Sequence, residues 1–172
     1  MSHVDETTEE TTAEPIADGT DIAELIHGRH WEDMTVGFRF RTGGRTITET
    51  DLVSFINLTG ANEPLFYDES FAREHGYTGR LVPGMQTFCY AEGLVIQTGS
   101  IHGTGLAHMH CEIDIKAPVY VGDTISVVVE VIGQRAASTG NRGVITSRNT
   151  VHNQRDEAVM VYQPVRLTKG RP

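Results

Sequence analysis

Residues 80–97 read RLVPGMQTFCYAEGLVIQ, and this stretch decides the fold. A loop leads to Val82, Pro83 and Gly84, and a helix is predicted to follow. The residues from Met85 to Gln97 are compatible with a helix and are largely apolar. That composition predicts a helix that is buried on most of its circumference. A helix of this kind needs other elements around it, so we expect it at the centre of the domain.

The elements around this helix are predicted to be strands. Beyond Gly105 the chain forms β-branched runs separated by turn residues, and Phe38–Thr42 alternates apolar and polar residues at a period of two. The four runs are residues 107–120, 123–135, 143–152 and 158–167. With the earlier strand they predict an antiparallel sheet around one helix, which is an α+β fold.

Two shorter helices are predicted between the first strand and the central helix. Thr48 or Thr50 can cap the first one, and Gly60 ends it. Asp68 can cap the second, which Gly76 ends. The residues between these helices, 61–67, are expected to be irregular.

The charge is distributed unevenly along the chain. The 172 residues carry a net charge of -9, yet residues 1–28 hold eight of the 23 acidic residues and no Lys or Arg. The remainder is nearly neutral, with 15 acidic against 14 basic residues. We interpret residues 1–28 as a disordered acidic tail and residues 29–172 as one folded domain. The domain has no basic stripe for phosphates, so nucleic acid is not expected as a partner.

Neither a membrane nor a disulfide is expected. The chain has no apolar run of about 18 residues, and its N-terminus has no apolar signal stretch. These features predict a cytoplasmic protein. Cys89 and Cys111 lie 22 positions apart in apolar surroundings, so both are expected to be buried free thiols.

Four motifs in order carry a family resemblance. They lie within residues 48–60, 62–72, 80–85 and 117–124. On these motifs the chain resembles the MaoC-like dehydratases, which include the (R)-specific enoyl-CoA hydratases and have the hot-dog fold. The resemblance covers about residues 29–167. It implies a bent antiparallel sheet wrapped around a central helix, and chemistry on an acyl thioester of coenzyme A or of a carrier protein.

The chain departs from this family at the residues that move protons. The family signature is Gly, Asp, any residue, Asn, Pro, any residue, His, in which the Asp and the His activate water. Aligned from Gly60, this chain has Ala61 at the Asp position, Glu63 at the Asn position and Phe66 at the His position. A methyl group and a phenyl ring cannot act as acid or base.

Other residues near the signature are candidates for the missing roles. Glu63 is a candidate base, because partial burial would raise its pKa. Tyr67 is a second candidate catalytic group. For both, a structural role is the alternative: Glu63 as a solvent-facing or capping carboxylate, and Tyr67 as a packed ring. His75 is a further candidate, and its structural alternative is a histidine that suits the dipole at a helix C-terminus.

Binding of the thioester is assigned to backbone and neighbouring side chains. Gly84 opens the central helix, where free N–H groups and the helix dipole can stabilise an enolate oxygen. Asn62 and Phe66 are the other thioester-binding candidates. The acyl chain is expected to lie along the central helix, between Phe55, Phe66 and Met85.

A metal site is not expected on the predicted strand that carries two histidines. His108, His110, Glu112 and Asp114 alternate with apolar residues, which predicts that all four side chains share one face. A polar sheet face or a histidine at a subunit seam explains this pattern without a metal. We predict neither a metal nor a cofactor.

Three functions remain open from the sequence. The first is an enoyl-CoA hydratase or 3-hydroxyacyl-thioester dehydratase, a lyase that uses an altered pair of residues. The second is an acyl-thioester-binding subunit, without catalysis, in a heterodimer with a homologous chain. The third is a thioesterase of the hot-dog type. A homodimer is otherwise expected, because a single hot-dog domain leaves a sheet edge exposed.

Overall fold

The computed structural model describes residues 27–172. The predicted acidic tail, residues 1–28, lies outside the described residues except for His27 and Gly28. The Gly28 N–H donates to the His102 carbonyl at 3.0 Å. A short 3₁₀ helix, Trp31–Asp33, follows. The folded part of the chain is therefore already hydrogen-bonded at residue 28.

Among residues 27–172, six strands form the sheet. They are β1 (Arg39–Arg41), β2 (Arg45–Thr46), β3 (Gly105–Ile115), β4 (Thr124–Ala136), β5 (Arg142–His152) and β6 (Ala158–Lys169). Five of them are ordered β1-β4-β5-β6-β3, and β2 pairs with β4. Every pairing is antiparallel. The predicted antiparallel α+β plan is confirmed, but β3 ends at Ile115 rather than at Tyr120.

Four helices lie between β2 and β3. They are α1 (Glu49–Thr59), α2 (Pro64–Tyr67), α3 (Glu69–Glu74) and α4 (Gly84–Gln97). Thr48 caps α1 through a reciprocal capping box with Asp51, and Gly60 ends the helix at a φ of 71°. Asp68 caps α3 by accepting from two backbone N–H groups. The predicted caps are thus confirmed, and the stretch expected to be irregular contains the short α2.

The core lies between α4 and the sheet. Along β4 the residues alternate in exposure, so one face of the strand is buried. The buried residues on this face are Ile125, Val127, Val129 and Val131. The buried residues of α4 include Ala91, Leu94 and Val95, and they belong to the same apolar cluster as Ile125, Val127 and Val129. No helix among residues 27–172 has the length and apolar character needed to cross a membrane.

Only one face of α4 is buried, which corrects the prediction. Met85 is 55% exposed and Ile96 is 57% exposed, and Cys89 is also exposed. The apolar content of residues 85–97 suggested burial all round, but the sheet covers only the side that faces it. The expectation that Cys89 is a buried thiol is therefore wrong. Cys111 is free and half-buried.

A second, smaller cluster fastens the N-terminal segment to the sheet. Trp31 packs against a group of buried residues from the loop after the 3₁₀ helix and from β4 and β5, which are Met34, Val131 and Ile145. The indole lies directly over Gly143, where an added Cβ would stand 2.2–2.6 Å from three ring atoms. Only glycine leaves room for the ring.

Replacing Gly143 by alanine is expected to displace Trp31 and to lower the free energy of unfolding by about 1–3 kcal/mol. Denaturant unfolding measures the loss, and fluorescence of Trp31, the single tryptophan, reports its displacement. Gly43→Ala is the matched control, because a Cβ there meets nothing within 4 Å. Equal stability of the two variants would contradict the packing described.

Candidate functional site

The N-terminus of α4 has no side-chain cap. Gly84 is its first residue, and Pro83 at the capping position makes no side-chain hydrogen bond. The Thr87 N–H donates to the Pro83 carbonyl at 3.0 Å, so the helical bonding starts there. The backbone N–H groups of Gly84, Met85 and Gln86 come before that first bond, so they have no acceptor within the helix. The helix dipole places partial positive charge at the same end. This end of α4 suits a carbonyl or carboxylate oxygen.

Gly84 also has a packing role. A Cβ at this position would stand 2.4 Å from Cδ1 of Ile115, the last residue of β3. The glycine therefore lets α4 approach the end of β3 closely. Gly84 itself is half-buried, and Ile115 is exposed.

Sequence reasoning missed Gln86, the third residue of α4. Its side chain is fully buried, and the Tyr90 hydroxyl lies within reach of the Gln86 amide. Buried amides are nearly always hydrogen-bonded, and this contact gives the amide a partner on the same helix. No motif in the sequence singles out Gln86, because a glutamine on a helix is ordinarily exposed.

The signature loop, residues 60–67, lies beside the segment that leads into α4. The Leu81 N–H donates to the Leu65 carbonyl of α2 at 3.1 Å. Glu63 stands at the capping position of α2, but its side chain makes no capping bond and is exposed. Asn62 is exposed too, Tyr67 is 53% exposed, and Phe66 is half-buried. The burial that would make Glu63 a better base is not found in this chain, and the roles of these residues stay predictions.

His75 has local partners that account for it. Its ring stacks on Phe71 with the ring centroids 4.2 Å apart. Its Nδ1 lies 2.8 Å from the Phe71 carbonyl oxygen. These contacts hold the ring against α3, which supports the structural alternative. Met85 was predicted to line the acyl chain, but its side chain is exposed in the single chain, so the predicted acyl site is open on that side.

A carboxylate links α1 to α4. Asp51 Oδ1 accepts from Arg45 at 2.8 Å and from the Tyr90 hydroxyl at 3.0 Å. The Arg45 guanidinium lies 3.9 Å from the Tyr90 ring centroid. The backbone N–H of Thr48, followed by the Thr48, Tyr90 and Arg45 side chains, lowers the pKa of Asp51 to about 2. Asp51 is thus a charged structural anchor rather than a base.

A second group of polar side chains lies between α4 and the start of β3. Arg166 donates to both carboxylate oxygens of Glu92, at 2.6 and 2.5 Å. His108 Nδ1 lies 3.7 Å from Glu92 Oε2, and the His108 ring meets the edge of Phe88. These groups line a cavity of about 390 Å³ that also has apolar walls. The apolar residues are Ile96, Ile101, Leu106 and Ala107.

A neutral hydroxyl lies near this cluster. Burial, and next the negative charge of Glu92, raise the pKa of Tyr162 well above its ordinary value. The Tyr162 hydroxyl therefore stays protonated and is available only as a neutral donor or acceptor.

The four polar residues of β3 do not form one face, which corrects the prediction. The pairing of β3 with β6 shifts register between His108 and His110. His108 faces α4, whereas His110 lies 3.9 Å from Glu112 on the strand itself. The prediction from sequence alternation held only for an unbroken strand. The bulge between His108 and His110 interrupts that alternation. Among residues 27–172 no three His, Cys, Asp or Glu side chains are grouped to hold a metal.

Comparison with known proteins relates the chain to dehydratases. The family described as the FAS1-like dehydratase domain region matches residues 34–162. Beta-methylmalyl-CoA dehydratase of Chloroflexus aurantiacus is 29% identical over 142 residues, which are 81% of this chain and 40% of that enzyme. The chain thus spans less than half the length of this relative.

Solved structures agree in fold. A Chloroflexus aurantiacus protein described as a MaoC domain dehydratase superposes with a TM-score of 0.81 at 27% identity, covering 88% of this chain and 43% of that one. A conserved Mycobacterium tuberculosis protein with a double hot-dog fold gives a TM-score of 0.75 at 21% identity, covering 84% and 45%. The second match shows the fold alone.

Replacing Asp51 by asparagine is expected to lower the free energy of unfolding by about 1–2 kcal/mol at neutral pH. Because its pKa is depressed in the folded protein, the carboxylate stabilises the fold above its ordinary pKa of 3.8, and this stabilisation is lost as the pH falls toward about 2. The difference from wild type should shrink over that range in urea unfolding at stepped pH. Glu112→Gln, at an exposed carboxylate, is the control. A difference independent of pH would contradict the role of Asp51.

Proposed function

Since this chain belongs to the MaoC-like family of hot-dog dehydratases, we propose that it hydrates an enoyl thioester or dehydrates a 3-hydroxyacyl thioester. The substrate is a thioester of coenzyme A or of a carrier protein. The reaction runs without the Asp and His of the family signature, because Ala61 and Phe66 stand there.

The uncapped start of α4 carries this proposal. The reaction passes through an enolate, whose oxygen bears negative charge. Backbone N–H groups at the first turn are fixed donors that need no reorganisation, and Pro83 offers no competing acceptor side chain. In this proposal the Gly84 N–H donates to the thioester carbonyl oxygen, and Asn62 and Phe66 complete the thioester site.

Glu63 and Tyr67 are the candidate proton-transfer groups that residues 60–67 offer. Both are exposed in the single chain. Each would need cover from the substrate or from a second chain to work in a dry site. Glu63→Gln and Tyr67→Phe test them individually.

A non-catalytic acyl-thioester-binding subunit is the second candidate function. The observation that favours it is the paired replacement of both signature residues by apolar ones. In that case a homologous chain supplies the Asp and the His in a heterodimer. Binding without turnover, together with co-purification of such a chain, would favour this candidate.

A homodimer is proposed on the basis of β3. This strand lies at the end of the sheet order, and nearly all of its 11 residues are exposed. Its outer backbone groups would pair with a second β3. Apolar side chains on β3 and α4 would be covered at the same time, namely Met85, Ile96, Met109 and Ile115.

The purified protein is expected to hydrate crotonyl-CoA or a branched enoyl-CoA, seen as loss of the enoyl absorbance without release of free thiol. The same preparation should dehydrate the matching 3-hydroxyacyl-CoA, because the enzyme accelerates both directions. Release of free thiol from acyl-CoA would instead identify a thioesterase. Absence of turnover on all of these thioesters, by a protein that still binds acyl-CoA, would exclude the hydratase or dehydratase function.

Met109→Asp is expected to convert a dimer into a monomer, because it places a charge in the middle of the β3 edge. Analytical ultracentrifugation measures the mass. Val36→Asp is the control, since Val36 is 62% exposed and lies outside the sheet. A wild-type monomer, or a Met109→Asp dimer of unchanged strength, would refute the proposed pairing.

A further inference from the structure

We propose that His108 is the acid and base of the reaction, that Glu92 positions it, and that both act on a thioester held at Gly84 of a second copy of this chain. This inference rests on the proposed function. It identifies the groups that replace the missing signature pair, and it places them on α4 and β3 instead of on the signature loop.

Glu92 is fixed and charged at the right place. Its side chain is 13% exposed and that of Arg166 is 11% exposed. Two charge-assisted hydrogen bonds from one guanidinium hold both carboxylate oxygens. The carboxylate therefore presents a fixed edge toward the cavity, where His108 lies.

His108 is placed to use that edge. Its Nδ1 is 3.7 Å from Glu92 Oε2, slightly more than a hydrogen bond. Catalytic hydrogen bonds are often long before substrate binds. A small rotation joins Nδ1–H to Glu92 and leaves Nε2 as an acceptor for a proton from water. A carboxylate that orients a histidine in this way recurs in acid–base catalysis.

Irregular pairing turns His108 toward α4. The β3–β6 register shifts once between Gly105 and Ala107 and again between His108 and His110. Bulges bend a strand and re-aim a side chain, and they are frequent beside active sites. In a regular strand His108 and His110 would share a face; here only His108 reaches α4.

The surrounding cavity suits a small acyl group. Its volume is about 390 Å³, and His108, Glu92 and Arg166 line it together with Ile96 and Leu106. Apolar walls with a few convergent polar groups are typical of small-molecule sites. The His108 side chain is 38% exposed, so both water and ligand can reach it.

One chain cannot bring its own Gly84 to its own His108. From Gly84 to Glu92 the helix rises about 12 Å. In the substrate, the reacting carbons C2 and C3 lie within two bonds of the thioester carbonyl carbon, so one substrate cannot span that distance. Within the chain, Gly84 lies at the end of β3 beside Ile115, and Glu92 lies near its start beside His108. The helix α4 thus runs antiparallel to β3.

A two-fold pair of β3 strands resolves this separation. Antiparallel pairing of a strand with its own copy sets the start of one strand opposite the end of the other. The Gly84 end of each α4 then faces the start of the second β3, where the cavity of the second copy opens. Each thioester would bridge the two chains.

The hydration step balances with these groups alone. Nε2 of His108 takes a proton from water while the water oxygen bonds to C3 of the enoyl group. The π electrons of the C2–C3 bond move toward C1, and the thioester oxygen becomes the enolate oxygen at the Gly84 N–H. The imidazolium then gives its proton to C2, which re-forms the carbonyl and restores neutral His108.

His108→Asn is expected to lower kcat at least about 100-fold, the range of general acid–base catalysis. His152→Asn is the control and should retain wild-type kcat, because His152 ends β5 and lies 3.3 Å from Asp156, outside β3 and α4. Added imidazole should restore activity to His108→Ala. Glu92→Gln should lower kcat with KM unchanged, and Glu92→Asp should recover part of the loss. Unchanged kcat in His108→Asn, or no rescue by imidazole, would overturn the inference.

A mixing experiment tests the two-chain arrangement. The double variant Gly84→Ala/Ile115→Val adds a methyl group at residue 84, and removal of Cδ1 from residue 115 makes room for it. The new methyl group blocks approach of a thioester to the backbone N–H of residue 84. Ile115→Val alone is the control. Co-expression of this variant with His108→Asn should give about a quarter of wild-type activity, because half of the dimers are mixed and each has one intact site. No recovery would overturn the arrangement.

Activity of the wild-type protein separates failure of the proposed function from failure of this inference. A wild-type protein without turnover on any thioester overturns the proposed function and this inference with it. Wild-type turnover that survives His108→Asn overturns only the inference, and Glu63 or Tyr67 then becomes the acid–base candidate.

Discussion

The packing of one face of α4 against the sheet is the constraint on which the rest of the structure depends. Val127 and Val129 of β4 meet Leu94 and Val95 of the helix in a single apolar cluster. Burial of these side chains supplies much of the hydrophobic stabilisation of the fold. The opposite face of α4 remains exposed, and the helix start is left without a cap. In the single chain, the backbone N–H groups at the start of α4 and one face of the helix are therefore not covered by side chains of the core.

Polar side chains are buried beside the apolar core. Gln86, Asn149 and Tyr162 are fully buried, and burial of a polar group is costly unless the group is hydrogen-bonded. The Tyr162 hydroxyl lies near Asn149 and Glu92, and the Gln86 amide lies near the Tyr90 hydroxyl. Arg166 in turn holds the Glu92 carboxylate. These contacts reduce the cost of burying the polar groups.

The local structure around residues 60–67 does not depend on an Asp or a His at positions 61 and 66. The Thr48–Asp51 capping box starts α1, Gly60 ends it, and Pro64 is the first residue of α2. Each of these is a backbone or capping effect of the residue itself. The fold of this segment and the chemistry proposed for it are therefore separate questions.

The sequence alone determined the strands, the caps and the family, since alternation, capping residues and motif order are local properties of the chain. It determined equally that Ala61 and Phe66 cannot move protons. Tertiary structure decided which face of α4 is covered, and so exposed Cys89 and Met85. It also decided that a bulge turns His108 away from His110 and toward Glu92 and Arg166, which lie 16 and 58 positions away in the chain. Such groupings depend on strand register and helix placement, which no local pattern encodes.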